Sequence, residues 1–228
     1  NFHENSIINR LGFNNKGIDY MVNNLKKRKY DGVVGVNIGA NKSSEGIERI
    51  NDYLLCIEKI HKLADYITIN ISSPNTPDLR DLHLKENLQN LITSVEKKID
   101  EVKFTKPVFL KISPDETDES IEMIVDLVNN SSFTGLIATN TTIEKDNLSN
   151  KKLKKEAGGV SGQPLMEKST NKILLIRSKC PDIPLIGVGG VISKDDYISK
   201  INAGADLVQI YTGFIIKGPD LINQILRD

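Results

Sequence analysis

The chain has 228 residues, enough for one large domain, and its 30 basic and 30 acidic residues cancel at pH 7. This balance leaves no overall positive field, which argues against nucleic acid as a partner. No apolar run approaches the about 18 residues of a membrane span, and no signal peptide is visible. We therefore expect one globular domain covering residues 1–228.

The cysteines and histidines indicate no metal or disulfide site. Cys56 and Cys180 are far apart and form no C-x-x-C pair. Cys56 follows the spacing of a helix core, which predicts a buried thiol in a reducing compartment. The histidines share no metal-ligand spacing, so we predict no metal site. They are His3, His61 and His83.

Short apolar runs alternate with helical patterns along the chain. The six runs cover residues 33–39, 65–72, 107–113, 134–140, 183–190 and 206–213. Apolar residues between them recur at the three-to-four spacing of an amphipathic helix. Those helical patterns cover residues 47–57, 84–99 and 121–128. A further helix is predicted to begin at the capping-box pattern of Ser193 with Asp196 and to end at Gly204. Alternating strands and helices predict a parallel sheet covered by helices.

Two architectures of this class compete, the doubly wound open sheet and the (β/α)₈ TIM barrel. The open sheet usually has a glycine fingerprint after its first strand, whereas the glycine motifs here come late, at 158–162, 187–190 and 211–213. A barrel often binds phosphate through the loops after strands seven and eight. We therefore predict an α/β fold, a (β/α)₈ barrel of which this chain covers about strands three to eight, N-terminally incomplete and with two open edges.

Polar residues cluster where the predicted strands end, and in a barrel these ends face one pocket. Asparagine amides there match a neutral ring that carries C=O and N–H groups, and glycine N–H groups suit a phosphate. Asparagine is also common turn chemistry and glycine also makes ordinary tight turns, so both alternatives stay open. The cluster comprises Asn37, Asn70, Ser73, Asn75, Lys111, Thr139, Asn140, Thr141, Gly162, Gly190, Tyr211 and Thr212.

Lys111 follows apolar residues in a predicted barrel strand, which predicts a buried stem and an ammonium that points into the pocket. A buried ammonium without a partner is costly, so it needs an anion or an electron-rich acceptor. A flavin that gains negative charge on reduction would serve. A Schiff-base lysine of an aldolase-type barrel is the rival interpretation.

Taken together, these motifs resemble the dihydroorotate dehydrogenase family, and specifically its class 2, quinone-linked branch. The resemblance extends over nearly the whole chain in family order. It rests on NRLGFNN (9–15), VNIGANK (36–42), NISSPNTPDLR (70–80), LKISPD (110–115), ATNTT (138–142), GGVSGQPL (158–165), GVGG (187–190) and VQIYTGFIIKGP (208–219). It implies a (β/α)₈ barrel that binds FMN and oxidises dihydroorotate to orotate in pyrimidine (UMP) biosynthesis.

The resemblance also implies individual site residues. Ser73 would be the catalytic base, held by the stiff flank of Pro74. The implied FMN contacts are Asn37, Asn70, Lys111, Thr139, Gly162, Gly190, Tyr211 and Thr212. The implied substrate contacts are Asn9, Arg10, Leu11, Gly12, Phe13, Asn70, Asn75, Asn140 and Thr141.

Ser73 decides the branch, because the soluble class 1 enzymes resemble NISCPN, with cysteine at this position. Serine implies ubiquinone or menaquinone as the electron acceptor. It also implies a peripheral membrane protein, attached through a segment before Asn1 at the bacterial inner membrane or alternatively the mitochondrial one. One residue departs from the pattern: Asp78 replaces a glycine of the family, which puts the geometry of the catalytic loop in doubt. A catalytically inactive barrel fragment is the non-enzymatic alternative.

Overall fold

The structure is a computed structural model that describes residues 1–76 and 79–227. Within this part of the chain, six parallel strands form one curled sheet in the order β2-β3-β4-β5-β7-β8. The strands are β2 (Gly35–Ile38), β3 (Tyr66–Asn70), β4 (Val108–Ile112), β5 (Gly135–Ala138), β7 (Leu185–Val188) and β8 (Leu207–Gln209). Strands β1 (Ser6–Asn9) and β6 (Gly159–Gly162) form a separate antiparallel pair.

The helices are α1 (Ile18–Lys26), α2 (Ile47–Ile60), α3 (Lys85–Glu101), α4 (Asp118–Asn129), α5 (Met166–Lys179), α6 (Lys194–Asn202), α7 (Thr212–Lys217) and α8 (Asp220–Leu226). Helices α2 to α6 connect successive strands of the sheet, while α1 precedes β2 and α7 and α8 follow β8. Short 3₁₀ helices cover Phe2–Glu4, Leu79–His83, Leu153–Lys155 and Gln163–Leu165.

The two faces of the sheet have different environments. Residues such as Ile69 and Leu110 pack with the helices in the main apolar core. Alternate residues point to the inner face, where Phe109 and Ile186 belong to a small second cluster. Since side chains alternate along a strand, one face closes the core and the other remains free to carry a site.

The sheet confirms the six predicted strands and the partial barrel, with β2 and β8 as its two edges. Residues 141–166 contained none of the six predicted strands, although the glycine motif at 158–162 lies among them. The motif GGVSG there forms β6, whose register pairs Ser6 with Gly162 and Asn9 with Gly159. The partner strand lies about 150 residues away, so local sequence patterns did not reveal the pairing.

The predicted helical patterns are confirmed in α2, α3 and α4, with one difference at the helix starts. Ile47 and Leu84 were placed on apolar faces but are 67% and 61% exposed, because they lie where α2 and α3 begin. The Ser193 cap is present: Ser193 Oγ accepts from Asp196 N at 3.1 Å, and the Asp196 side chain accepts from Ile192 N at 3.1 Å. Gly204, with φ of +105°, ends α6 as expected.

A buried tyrosine joins the helix layer to the sheet. Tyr53 of α2 has no exposed surface, and its hydroxyl donates to the Asn70 carbonyl at 2.8 Å. Burial raises the pKa of the Tyr53 phenol far above its ordinary value, so the hydroxyl remains a donor. This bond fixes the C-terminal end of β3, the point from which the loop at 71–76 departs.

A buried lysine joins α6 to the start of α5. The ammonium of Lys200 donates to the Met166 carbonyl at 3.3 Å and to hydroxyls of Ser169 and Thr170, the latter at 2.8 Å. Ser169 in turn donates to the Gly189 carbonyl at 3.0 Å. Lys200 therefore supports both the first turn of α5 and the loop that follows β7.

Both cysteines are free thiols that are partly buried. Burial, with the nearby charge of Asp52, raises the pKa of Cys56 to about 11, so this thiol stays protonated at neutral pH. Among the helices of residues 1–76 and 79–227, none has the length and apolar character needed to cross a membrane.

We expect Tyr53→Phe to lower the free energy of unfolding by about 1–3 kcal/mol, because the buried Asn70 carbonyl loses a donor. Urea denaturation followed by circular dichroism measures the change. Tyr20→Phe is the control, since Tyr20 is 51% exposed. Equal stability losses in the two variants would contradict the prediction.

Lys200 predicts a pH dependence of stability. Burial lowers its pKa to about 7, whereas an unfolded lysine titrates near about 10.4. Between these values the unfolded chain binds more protons, so this lysine makes the free energy of unfolding rise with pH, by up to about 1.4 kcal/mol per pH unit. In urea denaturation between pH 7 and 9, the free energy of unfolding of Lys200→Met should not show this rise. The exposed Lys62→Met should follow the wild type, and parallel curves for all three proteins would refute the assignment.

Candidate functional site

The candidate site lies at the C-terminal ends of the parallel strands. Asn37, Asn70 and Lys111 occupy the inner-face positions of β2, β3 and β4, and Asn70 pairs in register with Lys111. Their side chains therefore leave the sheet on the same face. The loops that follow these strands bring the remaining predicted polar residues to this end.

Asn70 is the centre of a hydrogen-bonded group that we call the amide network, consisting of Asn37, Asn70, Ser72 and Asn140. The Asn70 Oδ1 atom accepts from Ser72 N at 3.2 Å, Ser72 Oγ at 3.1 Å and Asn140 Nδ2 at 3.3 Å. Its Nδ2 donates to Asn37 Oδ1 at 3.2 Å. The orientation of this amide is therefore fixed by contacts on three strand ends.

Ser73 follows directly and is 7% exposed. Its Oγ accepts from Asn75 N at 3.3 Å, the bond of a tight turn around Pro74. Asn75 then donates through Nδ2 to Asn9 Oδ1 at 2.9 Å. The serine hydroxyl is thus held by its own loop, and that loop is held by the end of β1.

The segment at 9–13 lies against this loop. Gly12 has φ of +58°, and a Cβ there would lie 3.1 Å from the Asn75 carbonyl oxygen. Phe13 packs its ring over Gly39, which leaves no room for a side chain at that position.

Two other residues of this segment lie at the surface. Arg10 pairs with Glu156 at 2.9 Å, and both side chains are largely exposed. Leu11 is 57% exposed.

The loop after β5 supplies the next predicted residues. Asn140 donates to Ser72 Oγ at 3.1 Å and accepts from Thr141 N at 2.8 Å. Thr139 is buried, and its amide donates to the Val188 carbonyl at 2.8 Å. A Cβ at Gly159 would lie 2.2 Å from Thr141 Oγ1, so only glycine allows β6 to approach this loop.

Lys111 extends from β4 on the inner face, as expected. Burial lowers the pKa of its ammonium to about 8, and within the described residues no acceptor contacts it. A lysine held by protein without a counter-ion has a strong electrostatic preference for an anion or electron-rich ligand.

The glycine motifs lie at the ends of β6 and β7. Gly190 has φ of +84°, and a Cβ there would approach the Met166 Cα to 2.4 Å, so the loop requires glycine. Gly162 ends β6 and has φ of +92°. Thr212 begins α7 and donates to Ser161 Oγ at 2.8 Å. Tyr211 precedes it and is 71% exposed.

Most of the predicted residues lie in two clusters, and the Lys111 ammonium has no hydrogen bond to either of them in the described residues. The first contains the amide network, Ser73 with its loop, the Asn9–Asn75 pair and Thr141. The second joins Thr212 to β6 through Ser161, with Gly190 packed on α5. Arg10, Leu11 and Tyr211 are the outlying members, since their side chains face solvent. Asp78, the departure from the family pattern, lies outside the described residues.

Sequence reasoning missed a buried carboxylate and a buried hydroxyl. Asp115 follows β4 and contacts Arg80, Thr142 and Lys168. Thr76 is 4% exposed, and its hydroxyl has no hydrogen-bond partner in the described part of the chain. Both stand inside motifs quoted above, at LKISPD and NISSPNTP, but only the packing shows which side chains turn inward.

Comparison with known proteins places this geometry in a family. The family described as dihydroorotate dehydrogenase matches residues 2–228. A Legionella pneumophila (strain Corby) protein named dihydroorotate dehydrogenase (quinone) is 44% identical over 227 residues, covering 97% of this chain and 68% of the relative. A Shewanella frigidimarina protein of the same name is 48% identical over 229 residues, covering 97% of this chain and 67% of the relative.

Solved structures agree with the sequence comparison. The crystal structure of DHODH from Eimeria tenella in complex with ferulenol superposes with a TM-score of 0.91 at 31% identity, covering 98% of this chain and 66% of that one. The chain thus spans about two thirds of the length of its relatives, and its six strands form part of their barrel. The strand ends, the serine loop and the matching sequence lead to one conclusion: the chain belongs to the dihydroorotate dehydrogenase family, a family of oxidoreductases.

Proposed function

We propose that the protein oxidises dihydroorotate to orotate in pyrimidine biosynthesis, with FMN as the flavin and Ser73 as the catalytic base. The observation that carries this proposal is the position of Ser73, buried beside the amide network at the C-terminal end of β3. The names of the relatives support the same reaction.

The reaction removes a proton from C5 of dihydroorotate and a hydride from C6. Ser73 Oγ would take the C5 proton, which is acidified by the neighbouring carbonyl, while its own hydroxyl proton leaves to water. A serine is a weak base, so its position must be fixed closely, and an error of about 1 Å can cost about 100-fold in rate. Pro74 and the bond from Asn75 N provide this fixation.

The amides would recognise the substrate ring. Dihydroorotate carries alternating C=O and N–H groups, and asparagine offers one acceptor and two donors. Asn75 and Asn9 approach from one loop system, and Asn70 and Asn140 from two strand ends. Because these side chains are already oriented by one another, little ordering remains for binding.

The residues also fit FMN. Lys111 is a partly buried cation without a counter-ion in the described residues, which suits the electron-rich flavin ring. Asn37 and Asn70 share its face of the sheet, and the loop after β7, packed on α5 at Gly190, offers backbone N–H groups that suit a phosphate. When bound, FMN accepts the hydride released from C6. Thr139, Gly162, Tyr211 and Thr212 complete the proposed contacts.

We further propose a quinone, ubiquinone or menaquinone, as the final electron acceptor. Serine at position 73 and the names of the relatives support this branch. A quinone resides in the lipid phase, so the protein would act as a peripheral protein at a membrane surface. The two curated relatives named above come from bacteria, and on that ground we propose the bacterial inner membrane, with the mitochondrial inner membrane as the alternative.

We expect Ser73→Ala to keep FMN but lose about 10²–10⁴-fold in kcat, the range of general base catalysis. Flavin absorbance gives the cofactor content, and quinone-coupled turnover gives the rate. The matched control is Ser131→Ala, because Ser131 Oγ accepts a similar turn bond from Phe133 N at 3.2 Å, outside the strand-end loops. Near-normal turnover in Ser73→Ala would show that the base lies elsewhere.

We expect Lys111→Met to weaken FMN binding at least 10-fold, while the flavin-free protein becomes no less stable, because the variant removes an uncompensated buried charge. Equilibrium dialysis and thermal melts measure the two quantities. Lys106→Met is the control, since Lys106 pairs with Asp65 at 3.0 Å near the start of the strands. Unchanged FMN affinity would contradict the assignment.

The alternatives give different results with the same protein. A Schiff-base aldolase would be colourless, and borohydride would trap a carbonyl substrate on Lys111. An inactive member of the family would fold without binding flavin. A yellow protein that oxidises dihydroorotate excludes both.

A further inference from the structure

Asp115 is the most densely bonded carboxylate near the site. It lies three residues after β4, and its side chain is 10% exposed. The carboxylate accepts from Arg80 Nη1 at 2.9 Å, Lys168 Nζ at 2.7 Å and Ile143 N at 2.9 Å, and also from the Thr142 hydroxyl. Both carboxylate oxygens therefore have at least two donors.

The donors come from three different elements. Arg80 belongs to the short 3₁₀ helix Leu79–His83, which follows the loop of Ser73. Thr142 and Ile143 follow Asn140 and Thr141 in the loop after β5. Lys168 lies in the first turn of α5. A single buried anion thus connects the segment behind the base to the segment behind a substrate amide.

Three further contacts support this arrangement. Arg80 also donates through Nη2 to the Thr141 carbonyl at 3.3 Å, so the guanidinium bridges the two loops itself. Thr142 exchanges backbone bonds with Val160 of β6, at 3.1 and 2.7 Å. Asp115 is held in turn by its own backbone, since its N–H donates to Ser113 Oγ at 3.0 Å.

The electrostatics favour a permanently charged carboxylate. Burial alone would raise the pKa of Asp115, but the hydrogen bonds from Lys168, Thr142 and Ile143 together with the Lys168 charge lower it below its usual value. Such charge-assisted bonds are roughly twice as strong as neutral ones and are more directional. None of these residues needs to contact substrate for the arrangement to matter.

We propose that Asp115 is a positioning residue that fixes the Ser73 loop relative to the Asn140–Thr141 loop through Arg80 and Thr142. This inference rests on the proposed function for its effect on rate. Two residues of the motif LKISPD would then have different roles. Lys111 faces the ligand, and Asp115 sets the distance between the loops that surround the ligand.

The test compares Asp115→Asn with Asp118→Asn in the FMN-loaded protein. The control removes one carboxylate–lysine pair of α5: Asp118, which is 69% exposed, accepts from Lys172 at 2.7 Å, one helical turn beyond Lys168, and joins α4 to α5 without contacting either loop. Asp115→Asn should keep FMN and lower kcat by about 10–100-fold, since small displacements of a base are costly. Its backbone amides at 71–76 and 140–143 should exchange hydrogen at least 10-fold faster. Asp118→Asn should match the wild type in both measurements.

A second variant covers the case in which Asp115→Asn does not fold. Thr142→Val keeps the side-chain shape and removes one donor to Asp115, so it should show a smaller change in the same direction for both rate and exchange. Wild-type kcat and wild-type exchange in a folded variant would overturn the proposal, and so would a lowered melting temperature with unchanged kcat.

The same measurements distinguish a failure of the proposed function from a failure of the positioning role. If the proposed function fails, the wild type itself would not oxidise dihydroorotate, yet faster exchange at 71–76 and 140–143 in Asp115→Asn would still support the positioning of the loops. Normal exchange in that variant would refute the positioning, whatever reaction the protein performs.

Discussion

A single buried amide, that of Asn70, joins three strand ends, and its own backbone carbonyl is held from the helix layer by Tyr53. The side-chain amide of Asn70 is therefore restrained by the neighbouring strand ends, and its backbone carbonyl is restrained by the core. The loop with Ser73 begins directly after it, so the position of the hydroxyl follows from the packing of α2 on β3. The packing that stabilises the core therefore also determines how accurately the site is positioned.

The two buried lysines illustrate how differently one residue type can be used. Lys200 meets three oxygen acceptors and closes a purely internal contact between α6 and α5. Lys111 has a lowered pKa without such acceptors in the described residues. The first arrangement is complete within the protein chain, whereas the second becomes favourable when a ligand supplies the missing electron density.

Local sequence patterns were sufficient for the parts of the fold that depend on local chemistry. The strands, the amphipathic helices α3 and α4, the Ser193 cap and the inward direction of Lys111 all follow from short-range periodicity. The pairing of β6 with β1 and the contacts of Asp115 with Arg80 do not, because they join segments that are distant along the chain. The motif resemblance found the polar residues at the strand ends, but it could not show that Arg10 would turn outward to Glu156.

The antiparallel ribbon of β1 and β6 has a kinetic consequence. Its backbone ladder runs from Asn9, beside Asn75, to Gly162, next to the Ser161 hydroxyl that receives Thr212. A small molecule that passes the strand ends cannot displace one end of this ribbon without breaking the ladder or disturbing the other end. Any displacement of the ribbon is therefore shared by the Asn9–Asn75 contact and the Thr212–Ser161 contact, and its rate is limited by both.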